Sequence, residues 1–181
     1  MRASLLAAAL VLALAAAALC SDGAAAADAV ADSCAAIRDF VDPAFCASRL
    51  RSVPGAAAAD RHRHLLMAAD LAAASGAAAA GMARDDSAGA GEPTPAARDA
   101  LQACGFLYSA GSVPALRLLR GYAAARSWGA ARSPLLLAEQ AGVGCEAALG
   151  SGSGAGRMAA ANREFQQLVT MTVALLNTVS S

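Results

Sequence analysis

Near its middle the chain reads Ala100-Leu101-Gln102-Ala103-Cys104-Gly105-Phe106-Leu107-Tyr108. Its larger apolar residues recur three and four positions apart, at Leu101, Cys104, Leu107 and Tyr108. Residues at that spacing share one side of an α-helix, whereas a half-buried strand would alternate with a period of two. The stretch therefore predicts an amphipathic helix that carries a cysteine on its apolar side.

Helical patterns continue on the N-terminal side of this stretch. Residues 28–40 and 44–51 predict two short helices, separated at Asp42-Pro43 because the residue before proline is pushed out of the helical region. A longer helix is predicted from Asp60 to about Ala83, followed by a polar linker rich in Gly and Pro over residues 85–95. Thr94-Pro95 then resembles an N-cap followed by proline in the first turn, which starts the helix of Cys104.

The C-terminal half is also predicted to be helical. Gly111-Ser112 and Pro114 predict a bend, and Ser133-Pro134 repeats the cap-then-proline pattern and starts a helix that runs to Leu149. After a Gly/Ser linker over residues 150–156, the last helix follows the amphipathic template from Met158 to Val179. No segment alternates as a strand would. The fold class is therefore all-α, an up-and-down four-helix bundle preceded by an N-terminal helical hairpin.

The first 27 residues have the pattern of a secretory signal peptide. Arg2 gives a positive start, residues 5–19 contain only Ala, Leu and Val, and Ala25-Ala26-Ala27 fits a cleavage site. We expect residues 1–27 to be removed, together with Cys20, and residues 28–181 to form one domain. No second apolar span is identified, so no membrane association is expected after cleavage.

Four cysteines remain in the predicted mature chain. Cys34 and Cys46 lie twelve residues apart on either side of the first helix break, and Cys104 and Cys145 lie forty-one apart in two helices. An even number of thiols in a secreted chain of this size predicts a disulfide framework. Three pairings are possible, and the spacing alone does not choose among them.

Charge excludes some partners. Residues 28–181 contain 13 arginines, no lysine and 13 acidic residues. A neutral balance gives no reason to expect nucleic acid or an anionic membrane as a partner.

Three motifs resemble the plant pectin methylesterase and invertase inhibitor family. Ser33-Cys34 through Pro43-Ala44-Phe45-Cys46 to Leu50 is similar to its opening Cys…Pro…Cys…Leu pattern. Residues 100–108 are similar to its Ala-Leu-x-x-Cys-x-x-Leu-Tyr motif, and residues 138–149 to the motif around the fourth cysteine. The chain departs from the family at Gly144, where Thr is usual, and at Ser109-Ala110-Gly111, where acidic residues are common.

The resemblance implies a fold, a pairing and a function. Members have a helical hairpin closed by one disulfide and a four-helix bundle cross-linked by a second, which implies Cys34–Cys46 and Cys104–Cys145. It also implies a protein of the apoplast, or alternatively of the vacuole, that inhibits an enzyme by forming a reversible stoichiometric complex. We expect pectin methylesterase as the target, bound over its substrate groove and so regulating the de-esterification of cell-wall pectin.

Invertase is the alternative target. Invertase inhibitors of this family often carry Pro-Lys-Phe between the helices before the fourth cysteine, whereas this chain has Ser127-Trp128-Gly129-Ala130 in that region. Cys145-Glu146-Ala147, however, is more similar to the invertase-directed members. A third possibility, from another class, is a secreted helical scaffold that has lost inhibition.

No catalytic, metal or cofactor motif is identified, so neither an enzyme nor a cofactor is expected. In Arg61-His62-Arg63-His64 the two histidines at i and i+2 point to different sides of a helix, which favours a solvated helix start over a metal site. Asp85-Asp86 is interpreted as a solvated carboxylate pair in the linker. Tyr108 is interpreted as a core aromatic residue whose hydroxyl finds a partner.

One segment is locally basic. Between Asp99 and Glu139 the only charged residues are four arginines: Arg117, Arg120, Arg126 and Arg132. They are interpreted either as a solvated face or as groups that steer the inhibitor toward an acidic active site. We expect Arg117, Arg120, Arg126 and Trp128 as candidate partner contacts, with core packing as the alternative for Trp128.

Overall fold

A computed structural model of the chain describes residues 28–89, 94–150 and 156–180. Within these ranges every regular element is helical and none is a strand, as predicted. The proposed signal peptide lies outside the described residues, as do parts of the two linkers. In chain order the elements are α1 (Ala29–Ala35), α2 (Pro43–Arg51), a 3-10 turn (Ala56–Ala58), α3 (Arg61–Ala88), α4 (Pro95–Phe106), a π-helical segment (Leu107–Ser112), α5 (Val113–Ala124), α6 (Trp128–Arg132), α7 (Leu135–Leu149) and α8 (Gly156–Val179).

Four long elements form the predicted up-and-down bundle. Helices α4 and α5 run together through the π-helical segment as one rod, and the other three members are α3, α7 and α8. The main neighbours of α3 are the rod and α8, and α7 likewise packs against the rod and α8. Consecutive members are therefore adjacent, and α3 lies diagonally opposite α7.

The N-terminal hairpin consists of α1 and α2, joined by the disulfide Cys34–Cys46. Asp42 caps α2, since its Oδ1 accepts the backbone N–H of Phe45 at 2.8 Å. Helix α1 ends at Ala35, not at Phe40 as predicted. The chain then turns through i→i+3 bonds, a path that buries both Ile37 and Val41 in the core.

The predicted bend at Gly111-Ser112 and Pro114 is a widened turn instead of a break. The backbone N–H of Val113 donates to the carbonyl of Tyr108, five residues earlier. Pro114 has no N–H to donate, and the π-helical turn carries the chain past this gap without interrupting the rod. Ser112 anchors the turn to α7 because its Oγ donates to the carbonyl of Ala138 at 2.7 Å.

Helix α3 is longer than predicted and ends at Ala88, so Asp85 and Asp86 lie on a helix and not in a linker. Asp86 forms an ion pair with Arg157 at the start of α8. Helix α3 is also long and apolar enough to cross a membrane, by length and composition only, so the expectation of no second apolar span needs amendment. A core helix of a soluble protein meets the same test, and α3 packs against the rod and α8.

The centre of the bundle is built around Tyr108 and Phe165. Their rings meet edge to face with centroids 4.9 Å apart, and both side chains are buried. Gly76 of α3 lets this pair fit, because a Cβ there would lie 2.9 Å from a Phe165 ring carbon. The Tyr108 hydroxyl donates to Asn162 Oδ1, and Asn162 Nδ2 donates to the carbonyl of Gly142 at 3.0 Å. The interpretation of Tyr108 as a satisfied core aromatic residue is confirmed.

The second disulfide, Cys104–Cys145, joins α4 to α7, and both sulfur-bearing side chains are buried. The two helices approach closely here, with the Cα atoms of the two cysteines 4.6 Å apart. A Cβ at Gly144 would lie 2.8 Å from Leu107 Cδ1, so a larger residue at this position would require the Leu107 side chain to shift. Thr94 caps α4 as predicted, whereas Ser133 makes no capping bond to α7, which follows Pro134 without one.

Candidate partner-binding surfaces

The two histidines near the start of α3 are structural, and the prediction of a solvated helix start is wrong for His64. Its ring is fully buried, with Nε2 2.9 Å from the carbonyl of Ala56 and Nδ1 2.8 Å from Ser33 Oγ. A carbonyl only accepts, so Nε2 is the donor, and in the neutral ring Nδ1 accepts the Ser33 hydroxyl proton. His64 thus joins the hairpin and the 3-10 turn to the bundle, which a sequence pattern of two histidines does not indicate.

His62 faces the opposite side of α3 and contacts the end of α5. Its Nε2 donates to the carbonyl of Ala123 at 2.9 Å. The His62 ring also packs edge to face against Trp128, with centroids 5.6 Å apart. Trp128 is half-buried and packs against the core, so the core-packing alternative describes it better than an exposed anchor does.

The turn after α5 has an unusual residue in a left-handed conformation. Arg126 has a φ of 56°, a region that glycine enters without the steric cost that other residues bear. Its N–H donates to the carbonyl of Ala123, and the N–H of Ser127 donates to the carbonyl of Tyr122, both at 2.9 Å. This is the Schellman pattern of helix termination, in which the left-handed residue is most often glycine.

Replacing Arg126 with glycine is expected to raise the free energy of unfolding by about 1 kcal/mol, since the left-handed backbone strain disappears. Part of that gain is lost because glycine also adds entropy to the unfolded chain. Urea denaturation of the two proteins measures the difference. Arg126→Ala is the matched control: it removes the same side chain but keeps the strain, so no stabilisation is expected. Equal stability of the two variants would contradict the strain assignment.

The structure divides the basic segment. Arg120 is held by Asp70 of α3, with Nε 3.0 Å from Oδ1, and Arg132 donates to Ser180 Oγ at 2.5 Å. Arg117 and Arg126 are exposed and form no ion pair within the described residues. Of the four predicted basic residues, Arg120 is therefore the one whose charge a carboxylate compensates among the described residues, while the Ser180 hydroxyl orients Arg132 without neutralising it.

An apolar groove lies between the rod and α7, and sequence reasoning did not single it out. It is lined by residues of both elements: Leu107, Leu136, Glu139, Gln140, Val143 and Gly144. Leu136 is 68% exposed and Val143 66%, unusually high values for large aliphatic side chains. The sequence did contain an indication of it in the run Leu135-Leu136-Leu137. Three consecutive leucines of a helix cannot all face the core, so this run predicts exposed apolar surface.

Reactive chemistry has little support in the described ranges. No group of three or more His, Cys, Asp or Glu residues is arranged there to hold a metal ion. Tyr108 is enclosed in the core, and burial raises the pKa of its phenol well above the usual range. The exposed features include the groove, the arginines and the aromatic side chains of Phe40 and Phe106, all of which suit binding.

A family model described as plant invertase/pectin methylesterase inhibitor matches residues 28–175. The match runs from the cap of α1 into the last turns of α8 and includes both disulfides. A search of curated proteins gave no match.

Proposed function

The chain belongs to the plant invertase/pectin methylesterase inhibitor family, and we propose that it is a secreted inhibitor of pectin methylesterase. Its action would be reversible and stoichiometric, through a surface of the bundle that covers the substrate groove of the enzyme. Regulation of pectin de-esterification in the apoplast would follow, with the vacuole as the alternative location. Residues 1–27 are proposed as the cleaved signal peptide that directs it there.

The family membership carries the inhibitory part of this proposal, and the segment around Trp128 favours pectin methylesterase over invertase. Invertase-directed members often carry a lysine-containing motif that enters the active site. Here the corresponding segment has no lysine, and Trp128 is packed against His62 and the core. A segment held in this way is poorly suited to reach into a deep active site.

The apolar groove is the best candidate for the centre of the interface. Stable complexes bury about 800 Å² on each partner and have an apolar core surrounded by a polar rim. Leu136 and Val143 supply exposed aliphatic surface, and Glu139 and Gln140 lie beside them as polar neighbours. The groove is held rigid by the Cys104–Cys145 disulfide on the same pair of helices.

Arg117, Arg120, Arg126 and Trp128 stay proposed as outer contacts. Long-range attraction to an acidic partner acts mainly on the association rate and weakens with salt. Arg117 and Arg126 should contribute most, because Asp70 compensates the charge of Arg120. Trp128 would act by holding the turn in place.

The proposed function is tested by measuring inhibition of pectin methylesterase and invertase side by side with the mature protein. We expect inhibition of pectin methylesterase, and about thirtyfold weaker inhibition by Leu136→Asp, since interface anchors typically contribute 2 kcal/mol or more. Phe40→Asp is the control, because Phe40 is a 71% exposed apolar side chain in the N-terminal hairpin, outside the groove. Inhibition of invertase alone would favour the alternative target, and inhibition of neither would favour the scaffold without inhibitory activity.

A further inference from the structure

Three arginines lie on two segments that touch at one end of the bundle, the start of α3 and the turn after α5. The His62 ring and the backbone N–H of Arg126 both donate to the carbonyl oxygen of Ala123, each at 2.9 Å. Arg61 and Arg63 precede and follow His62 on α3, so their side chains leave the helix on different sides of the His62 contact. We call Arg61, Arg63 and Arg126 the basic end.

The charges of the basic end are not compensated within the described part of the chain. All three side chains are exposed, and none belongs to an ion pair there. Over residues 60–63 and 122–128 the one carboxylate is Asp60, whose Oδ1 accepts the N–H of Arg63 to cap α3 at 2.8 Å. An excess of positive charge therefore remains at this end of a chain that is neutral as a whole.

Arg126 occupies its position at a cost to stability. Its left-handed backbone is one that glycine would satisfy without strain, and its side chain makes no ion pair with any residue that the structure describes. Non-glycine residues held in such conformations often occur at binding sites. Glycine at this position would favour stability, whereas arginine provides a positive charge, and the chain has arginine.

The surroundings favour a hydrated polyanion over a protein partner. Among residues 60–63 and 122–128 no side chain is both aliphatic and larger than alanine, so an apolar interface core is absent from these residues. Guanidinium groups bind carboxylates through paired hydrogen bonds and do not require an apolar setting. Tyr122, four residues before Arg126, is 41% exposed and can add a ring contact to a sugar.

We propose that the basic end binds an acidic polysaccharide through the carboxylates of its sugar rings. Unesterified stretches of pectin have this chemistry, and their choice as the ligand rests on the proposed function. The inhibitor would then be retained on the polymer that its target enzyme de-esterifies, through a surface separate from the apolar groove.

The test measures binding of the full mature protein to polygalacturonate by affinity electrophoresis, with fully methyl-esterified pectin as the uncharged comparison. We expect retardation by polygalacturonate only, reversed by added salt. Arg61→Gln/Arg63→Gln should bind about tenfold more weakly, since each exposed charge pair contributes modestly. Arg84→Gln/Arg98→Gln is the matched control: it removes two exposed arginines that form no ion pair with any residue the structure describes, near the junction of α3 and α4 at the opposite end of α3, and should bind as the wild type does.

Arg126→Gly separates binding from folding. Because glycine is favoured at this turn, weaker polygalacturonate binding by a variant at least as stable as the wild type cannot be explained by misfolding. The inference would be overturned if Arg61→Gln/Arg63→Gln and Arg126→Gly both bound polygalacturonate as strongly as the wild type does. It would also be overturned if polygalacturonate did not retard the wild type. Equal weakening in the control pair would overturn it too, since it would indicate attraction by net charge alone.

Inhibition assays on the same proteins keep this inference distinct from the proposed function. If Arg61→Gln/Arg63→Gln loses inhibition of pectin methylesterase but binds polygalacturonate normally, the basic end is an enzyme contact and the inference is wrong. If the wild type inhibits neither enzyme yet binds polygalacturonate through these arginines, the proposed function fails and the inference stands.

Discussion

Replacing Cys104 and Cys145 together with alanine is expected to lower the free energy of unfolding by about 4 kcal/mol. The disulfide closes a loop of 41 residues, and removing it returns that conformational freedom to the unfolded chain. The bundle depends on this link because much of its core is alanine, which buries less apolar area per residue than larger side chains do. Urea denaturation of the variant and the wild type measures the difference.

The hairpin disulfide is the internal control for that experiment. Cys34→Ala/Cys46→Ala opens a loop of only 12 residues and should cost about 3 kcal/mol, less than the longer loop. The reverse order would contradict the chain-entropy account. Free thiols in the purified wild type, or a hairpin cysteine joined to Cys104 or Cys145 in non-reducing peptide maps, would contradict the pairing itself.

Replacing His64 with alanine is expected to cost about 3 kcal/mol of unfolding free energy. The change leaves the buried Ala56 carbonyl without its donor, leaves Ser33 without its partner and opens a cavity beneath the hairpin. Hydrogen exchange should show that α1 and α2 lose protection before the four-helix bundle does.

His62→Ala is the matched control for that loss. His62 is only half-buried and makes one hydrogen bond, to Ala123, so its removal should cost about 1 kcal/mol and leave the hairpin protected. Similar losses of stability in the two variants, or unchanged protection of α1 and α2 in His64→Ala, would contradict the assignment of His64 as the link between hairpin and bundle.

Periodicity and capping residues predicted most of the fold. The spacing of apolar residues around Cys104 and along residues 158–179 places α4 and α8 correctly, and Thr94 caps the helix that it was expected to start. Asp42 was expected only to end the first helix, and its capping of α2 is a finding of the structure. These are local properties of the chain, which sequence contains directly. The resemblance to the inhibitor family added the disulfide pairing, which spacing had left open among three possibilities.

What the sequence did not predict depends on contacts between distant residues. The linker after Ala83 was expected from polar composition, yet α3 continues to Ala88, where Asp86 pairs with Arg157 of α8. The burial of His64 likewise depends on Ser33 and Ala56, which no local pattern connects to it.

The candidate surfaces were likewise predicted in part, and the rest depends on contacts between distant residues. The arginines of residues 117–132 were recognised as a group, but Asp70 and Ser180 hold two of them. The segment of Arg61 and Arg63 touches the segment of Arg126 through the contact between His62 and Ala123, which no local pattern indicates. The apolar groove forms where α7 meets the rod, so a run of leucines suggested exposed surface without indicating what that surface borders.

The central claim is that the protein inhibits by forming a reversible stoichiometric complex with pectin methylesterase. The most direct test titrates the purified mature protein against the enzyme while residual activity and the size of the complex are followed in the same samples. We predict that activity falls in proportion to a complex of defined stoichiometry, and that it returns when the complex is dissociated. Loss of activity without a complex, or a complex that retains full activity, would contradict the claim.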